Sequence, residues 1–177
     1  MDSGKHAQPV LPLPPAGVKP SVAGRFAAPS ALRWPAAGEG SAQGLARGVA
    51  RLFDSLGFRP LIEMRLASGR RVDIIGVDGR TRFAIAEVKT SREDLRADHK
   101  WQDYLAYCDD FYFAVPTGFP ITLLPEDAGI VVADRYGGVV LRPGRRRSMA
   151  ESTRRKQLLL FAQSASQRLY RLLDSSL

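Results

Sequence analysis

The sequence predicts an α/β domain. A helix leads into three strands, a second helix and a fourth strand follow, and a hairpin and a basic amphipathic helix close the chain. Three observations lead there. Residues 71–89, RVDIIGVDGRTRFAIAEVK, read as two short strands joined by a polar turn. The segments before and after them, from Ser41 to Leu56 and from Arg92 to Tyr107, carry apolar residues spaced as on helices. The last segment combines a Leu/Phe stripe with most of the excess arginine.

In chain order, residues 1–40 hold seven of the twelve prolines and show no helical or strand period, so a disordered lead-in is expected there. Ser41 can cap a helix that Gly57 ends, with Leu45, Val49, Leu52, Phe53 and Leu56 on one face. Residues 61–66, 72–77 and 82–89 read as a three-stranded meander. Ser91, with Asp94 three positions on, caps a helix expected to run from Arg92 to about Tyr107. Asp109-Asp110 reads as a turn and residues 111–115 as a fourth strand stopped by Pro116. Residues 121–124 form a short strand or turn, and 129–135 with 139–142 a hairpin about Tyr136-Gly137-Gly138. The final helix spans Met149 to Leu173, with Leu158, Phe161, Ala165, Leu169 and Leu172 as its apolar stripe. The expected organisation is therefore a lead-in over 1–40, a core over 41–142, and a basic helix within 143–177 that packs on the core.

Composition narrows the function. No apolar run approaches the ~18 residues of a membrane span, and prolines interrupt every apolar stretch of the N-terminus, so no secretion signal is expected. The single cysteine, Cys108, excludes an internal disulfide and a cysteine-cluster zinc site, and a cytoplasmic, reducing location is the default expectation. The net charge of +8 is segregated: residues 41–141 hold thirteen basic and fourteen acidic residues, residues 142–177 nine basic and two acidic. A basic segment on a near-neutral core points to a polyanion, nucleic acid first; the bland reading is a solvated helix face.

The chemistry concentrates at residues 73–89. Period-two alternation sets Glu87 and Lys89 on one side of their strand. Asp73 faces Glu87 directly if the hairpin loop centres on Arg80; a two-residue turn at Asp78-Gly79 would instead set Ala84 opposite Asp73. The polar Gly79-Arg80-Thr81 favours the longer loop. Two adjacent carboxylates repel and attract a divalent cation, Mg²⁺ or Mn²⁺, and the Val88 carbonyl could add a further ligand. Lys89 would then hold or deprotonate the attacking water, or stabilise charge on a phosphate, which outlines phosphodiester hydrolysis. On spacing alone this stands level with a surface Glu87–Lys89 ion pair beside an unrelated aspartate.

The motif Val72-Asp73 … Glu87-Val88-Lys89 within an α-β-β-β-α-β order resembles the PD-(D/E)xK nuclease superfamily, with Val72 in place of the nominal proline. The runs RVDIIGV (71–77), IAEVKTSREDLRADHKWQDYLAYCDDFYFAVP (85–116) and FPITLLPEDAGIVVADRYG (119–137) resemble, more specifically, the MmcB-like DNA repair protein family. The resemblance implies a restriction-endonuclease-like mixed sheet flanked by helices and a Mg²⁺- or Mn²⁺-dependent DNA nuclease in repair. It carries over Asp73, Glu87 and Lys89 as site residues. The superfamily often adds a glutamate from the first helix; here Gln43 and Glu39 are the nearest candidates, and Glu63 on the first strand is another.

Around that centre Lys100 and Gln102 are candidates for the site edge. Arg70, Arg71, Arg145, Arg146, Arg147, Arg154 and Arg155 are candidates for phosphate contact. Ser91 is read as a cap, Trp101, Tyr104 and Tyr107 as packing residues, and His99 as no metal ligand, since no second histidine lies in the domain. Two rival readings stay open: a catalytically weak or inactive nuclease-fold module that binds DNA or recruits a repair protein, and a C-terminal helix that docks a protein partner.

Overall fold

A computed structural model describes residues 41–98 and 100–174. The lead-in over 1–40 and His99 lie outside the described residues. Helix α1 (Ala42–Ser55) is followed by strands β1 (Arg59–Arg65), β2 (Arg71–Val77) and β3 (Phe83–Val88) and by helix α2 (Arg92–Ala97). A 3₁₀ helix (Trp101–Tyr107), β4 (Asp110–Val115) and a 3₁₀ turn (Ile121–Leu123) come next. Strands β5 (Gly129–Ala133) and β6 (Gly138–Arg142) and helix α3 (Glu151–Asp174) complete the order.

The strands form one mixed sheet in the order β1-β2-β3-β4-β5-β6. β3, β4 and β5 are parallel, and the remaining neighbours antiparallel. The parallel joints need crossovers, which α2 with its 3₁₀ helix and the 116–128 segment provide. Helix α1 covers one face: Leu45, Val49 and Phe53 pack on Ile74, Ala84, Ala86, Tyr112 and Val131. The other face buries Ile75, Phe83, Ile85, Phe111 and Phe113 beneath the 3₁₀ helix and Leu158, Leu160 and Phe161 of α3. β3 and β4, covered on both faces, are buried along their whole length.

Local chemistry explains the boundaries. The Ser41 hydroxyl accepts the Gly44 N–H at 3.0 Å and starts α1. Gly57, at φ +86°, ends it. Gly48 lets α1 close onto the β5–β6 turn, because a Cβ there would lie 1.8 Å from the Asp134 carbonyl oxygen. The β2–β3 register pairs Ile74 with Ala86 and Val77 with Phe83, which centres the loop on Arg80 as the spacing requires. Asp78 holds that loop: one carboxylate oxygen accepts the N–H groups of Arg80 and Arg82, each at 2.9 Å, and Thr81 takes φ +62°.

Three expectations are corrected. The helix expected over 92–107 breaks at Asp98, which is extended at φ −89° and ψ 92°. Its Oδ1 accepts the Lys100 N–H at 3.0 Å, so a side chain takes the place of the helical ladder, and a 3₁₀ helix begins at Trp101. Asp109-Asp110 is no turn. Both are buried, and Asp109 accepts the Phe83 N–H at 2.8 Å and a two-pronged contact from Arg154 at 2.7 and 2.8 Å. The α3 stripe is half-buried in its first part, at Leu158, Phe161 and Ala165, and open beyond it, since Leu169 and Leu172 are 59% and 54% exposed. Arg168 already reaches the carbonyls of Ile62 and Glu63 on β1, the edge strand, so the residues after it have no strand beneath them.

Candidate active site

Continued by one residue, the β2–β3 register sets Asp73 opposite Glu87, and Asp73 Oδ2 accepts the Val88 N–H at 2.8 Å. Phe83 and Ile85 lie in the cluster beneath α3, so alternation projects Glu87 and Lys89 from that same face, while Ala86 and Val88 face α1. Alternation slips beside Asp73. Val72 and Ile74, two residues apart, belong to opposite faces, and so do Ile62 and Met64 on the neighbouring strand. Between the latter pair Glu63 takes φ +52°, a left-handed conformation that costs a non-glycine residue about 1 kcal/mol.

Lys89 is 5% exposed and Glu87 9% exposed. The Lys89 ammonium lies 2.8 Å from Asp98, 3.8 Å from Glu87 and 3.9 Å from Asp94. The Ser91 cap explains the convergence. Its hydroxyl accepts the Asp94 N–H at 3.1 Å and starts α2 directly after β3, and i,i+4 spacing then brings Asp94 and Asp98 to the side facing Lys89. Glu87 Oε2 is buried with no hydrogen-bond partner among the described residues.

The electrostatics follow. Burial, then the Asp73 carboxylate, push Glu87 up to about 8, with Lys89 opposing. Burial also raises Asp73, against the Val88 N–H and Lys89. For Lys89 burial alone would lower the pKa, but the hydrogen bond to Asp98 and the charge of Glu87 outweigh it and hold the ammonium above its ordinary value. Asp98 is pulled down against its burial by the Lys89 contact and the Lys100 N–H. Burial, then the charges of Glu87, Asp98 and Asp73, push Tyr104 up to about 12.

The other sequence candidates scatter. Gln43 is exposed in the first turn of α1, on the helix that covers the opposite face from Glu87. Glu63 is exposed beside Arg71 at 3.7 Å. Lys100 and Gln102 are exposed just past the Asp98 break. Arg70 pairs with Asp103 at 2.5 Å and Arg146 with Asp110 at 3.5 Å. Arg145 and Arg147 lie 3.9 and 3.8 Å from Asp127. Arg155 pairs with Glu151 at 3.3 Å and is 79% exposed. Arg154, expected at phosphate, is instead committed inward to Asp109 and the Thr81 carbonyl, which makes it part of the fold. Sequence reading missed Asp98 as the anchor of Lys89; its i,i+4 relation to the capping Asp94 was the available signal.

Among the described residues no group of three or more His, Cys, Asp or Glu is gathered for a metal. The pair that is gathered, Asp73 and Glu87 with an unpartnered carboxylate oxygen, fits a hard cation that takes one or two carboxylates and completes its shell with water and phosphate.

A six-stranded mixed sheet flanked by helices, with an acidic pair and a lysine at neighbouring strand ends, is compatible with a nuclease-like α/β fold. The chain belongs to the MmcB-like family of DNA repair proteins, whose model matches residues 33–176. It is similar to the solved structure of the SPO1766 protein of unknown function from Silicibacter pomeroyi, with 38% identity, a TM-score of 0.73, and coverage of 76% of this chain and 92% of that one. No curated protein matches the chain. Family membership supports a role in DNA repair. No helix among the described residues is long and apolar enough to cross a membrane.

Proposed function

We propose that Asp73, Glu87 and Lys89 form a Mg²⁺- or Mn²⁺-dependent site that hydrolyses DNA phosphodiesters during repair. The observation that carries this reading is the Asp73 carboxylate held at the end of β3 by the Val88 N–H, next to Glu87, with one buried Glu87 oxygen left without a hydrogen-bond partner among the described residues. Two carboxylates desolvated side by side are costly unless something positive joins them. Asp73, Glu87 and the Val88 carbonyl would hold the cation, which supplies activation of water and charge neutralisation on phosphate.

The protein's own groups do the rest. The Val88 N–H fixes the Asp73 carboxylate. Lys89, ringed by three carboxylates, keeps its proton and acts as a fixed positive charge towards the developing phosphate charge, rather than as a base. The arginines that remain exposed, Arg71, Arg145 and Arg155, suit contacts to backbone phosphates that position DNA without reading its sequence.

A second reading has its own observation. Lys89 is engaged by Asp98 at 2.8 Å, and no third acidic ligand joins the pair among the described residues. That arrangement also suits a module that binds DNA, or recruits a repair protein, without cutting. Cleavage assays separate the two. Hydrolysis should require Mg²⁺ or Mn²⁺ and fall by at least about a hundredfold in Asp73→Ala and Lys89→Ala, with DNA affinity retained. Binding without cleavage of any tested DNA structure under either metal selects the non-catalytic module.

A further inference from the structure

Next to the Asp98–Lys89 contact, α2, the 3₁₀ helix and the segment about the 3₁₀ turn line an open cleft of about 340 Å³. Arg92 and Arg96 stand on its rim, one helical turn apart and both exposed. Leu95, Trp101, Leu123 and Pro125 line it. Leu123 is 45% exposed, and the Trp101 indole is fixed by stacking on Phe111 with centroids 5.5 Å apart. Asp98, the anchor of Lys89, belongs to the same wall, so the cleft opens next to the candidate site.

We infer that this cleft receives an unpaired stretch of DNA, with phosphates on Arg92 and Arg96 and a base against the apolar wall. Charge and polarity argue it together. Two guanidinium groups one turn apart suit successive phosphates. Duplex DNA, however, offers a protein phosphates and groove edges, and has no use for a concave apolar wall with a rigid aromatic in it. A strand with exposed bases does, because every base has a π-face to bury. Single-strand binding stands on the cleft itself; the substrate it implies, DNA with a single-stranded segment beside the scissile bond, rests on the hydrolysis reading of the neighbouring site.

The test is binding without catalysis. Full-length protein in EDTA is titrated by fluorescence anisotropy with a labelled oligothymidylate and with a blunt duplex of equal length. The single strand should bind more tightly. Arg92→Glu with Arg96→Glu should weaken it by at least about tenfold and flatten its salt dependence by roughly one to two ions, with duplex binding little changed. The double lysine variant should keep most of the affinity, and Leu123→Ala should weaken the single strand without altering the salt slope. Equal affinity of the wild type for the two DNAs, or an unchanged single-strand affinity in the double glutamate variant, overturns the cleft. Cleavage in Mg²⁺, measured separately, tells the two readings apart. Arginine-dependent single-strand binding by a protein that never cuts would sink hydrolysis alone. Cutting of plain duplex, indifferent to both arginines, would sink the cleft alone.

Discussion

At the scale of single residues, burial decides which charges build the protein and which face outward. Asp109 and Arg154 are the clearest structural pair, with side chains 6% and 13% exposed and two contacts below 3 Å. Burial pushes the Asp109 carboxyl up, but the Arg154 fork and the Phe83 N–H outweigh it and hold it below the ordinary value. A depressed folded pKa stabilises the protein above the unfolded value and loses that stabilisation as pH falls through the folded one. Asp109→Asn should therefore cost about 2–4 kcal/mol at neutral pH. Urea unfolding near pH 7 and again near pH 3 should show the gap to wild type shrinking at the lower value. The sequence marked Arg154 as basic but not as buried, because its acid lies forty-five positions away and only the fold joins them.

At the scale of elements, the β2–β3 hairpin was legible and the helix after it was not. The polar Gly79-Arg80-Thr81 loop and the apolar restart at Phe83 point to the register observed, Ile74 with Ala86 and Val77 with Phe83, which brings Asp73 to the end of β3. Both signals are local. The break at Asp98 depends on Lys89, nine residues back, and on the Lys100 N–H, so helical spacing over 92–107 could not reveal it. The contact of α1 with the β5–β6 turn was equally invisible, since Gly48 reads as an ordinary weak spot in a helix. Gly48→Ala should destabilise the protein by about 1–3 kcal/mol. The group it meets is backbone, which cannot swing aside, so thermal unfolding should show a lowered midpoint even though alanine favours the helix.

At the scale of the whole molecule, the positive C-terminal segment is partly scaffold. Arg168 bonds β1 carbonyls, while Arg145 and Arg155 stay 73% and 79% exposed. Charge counting located the segment, but only packing sorts its members. Removing residues 142–177 would strip Leu158, Leu160 and Phe161 from one face of the sheet, so point variants give the cleaner reading of DNA contact. Arg145→Gln with Arg155→Gln should lower DNA affinity and reduce the slope of log K against log salt by about two, with the unfolding midpoint little changed, since both pairs are exposed. Arg168 has one more consequence. Among the described residues β1 is an edge of the sheet, and such edges invite strands from other molecules. Pro60 offers no N–H there, Glu63 twists the line, and the Arg168 guanidinium occupies the carbonyls of Ile62 and Glu63. The guanidinium that pins the strand beside Asp73 thereby also guards the protein against aggregation along that border.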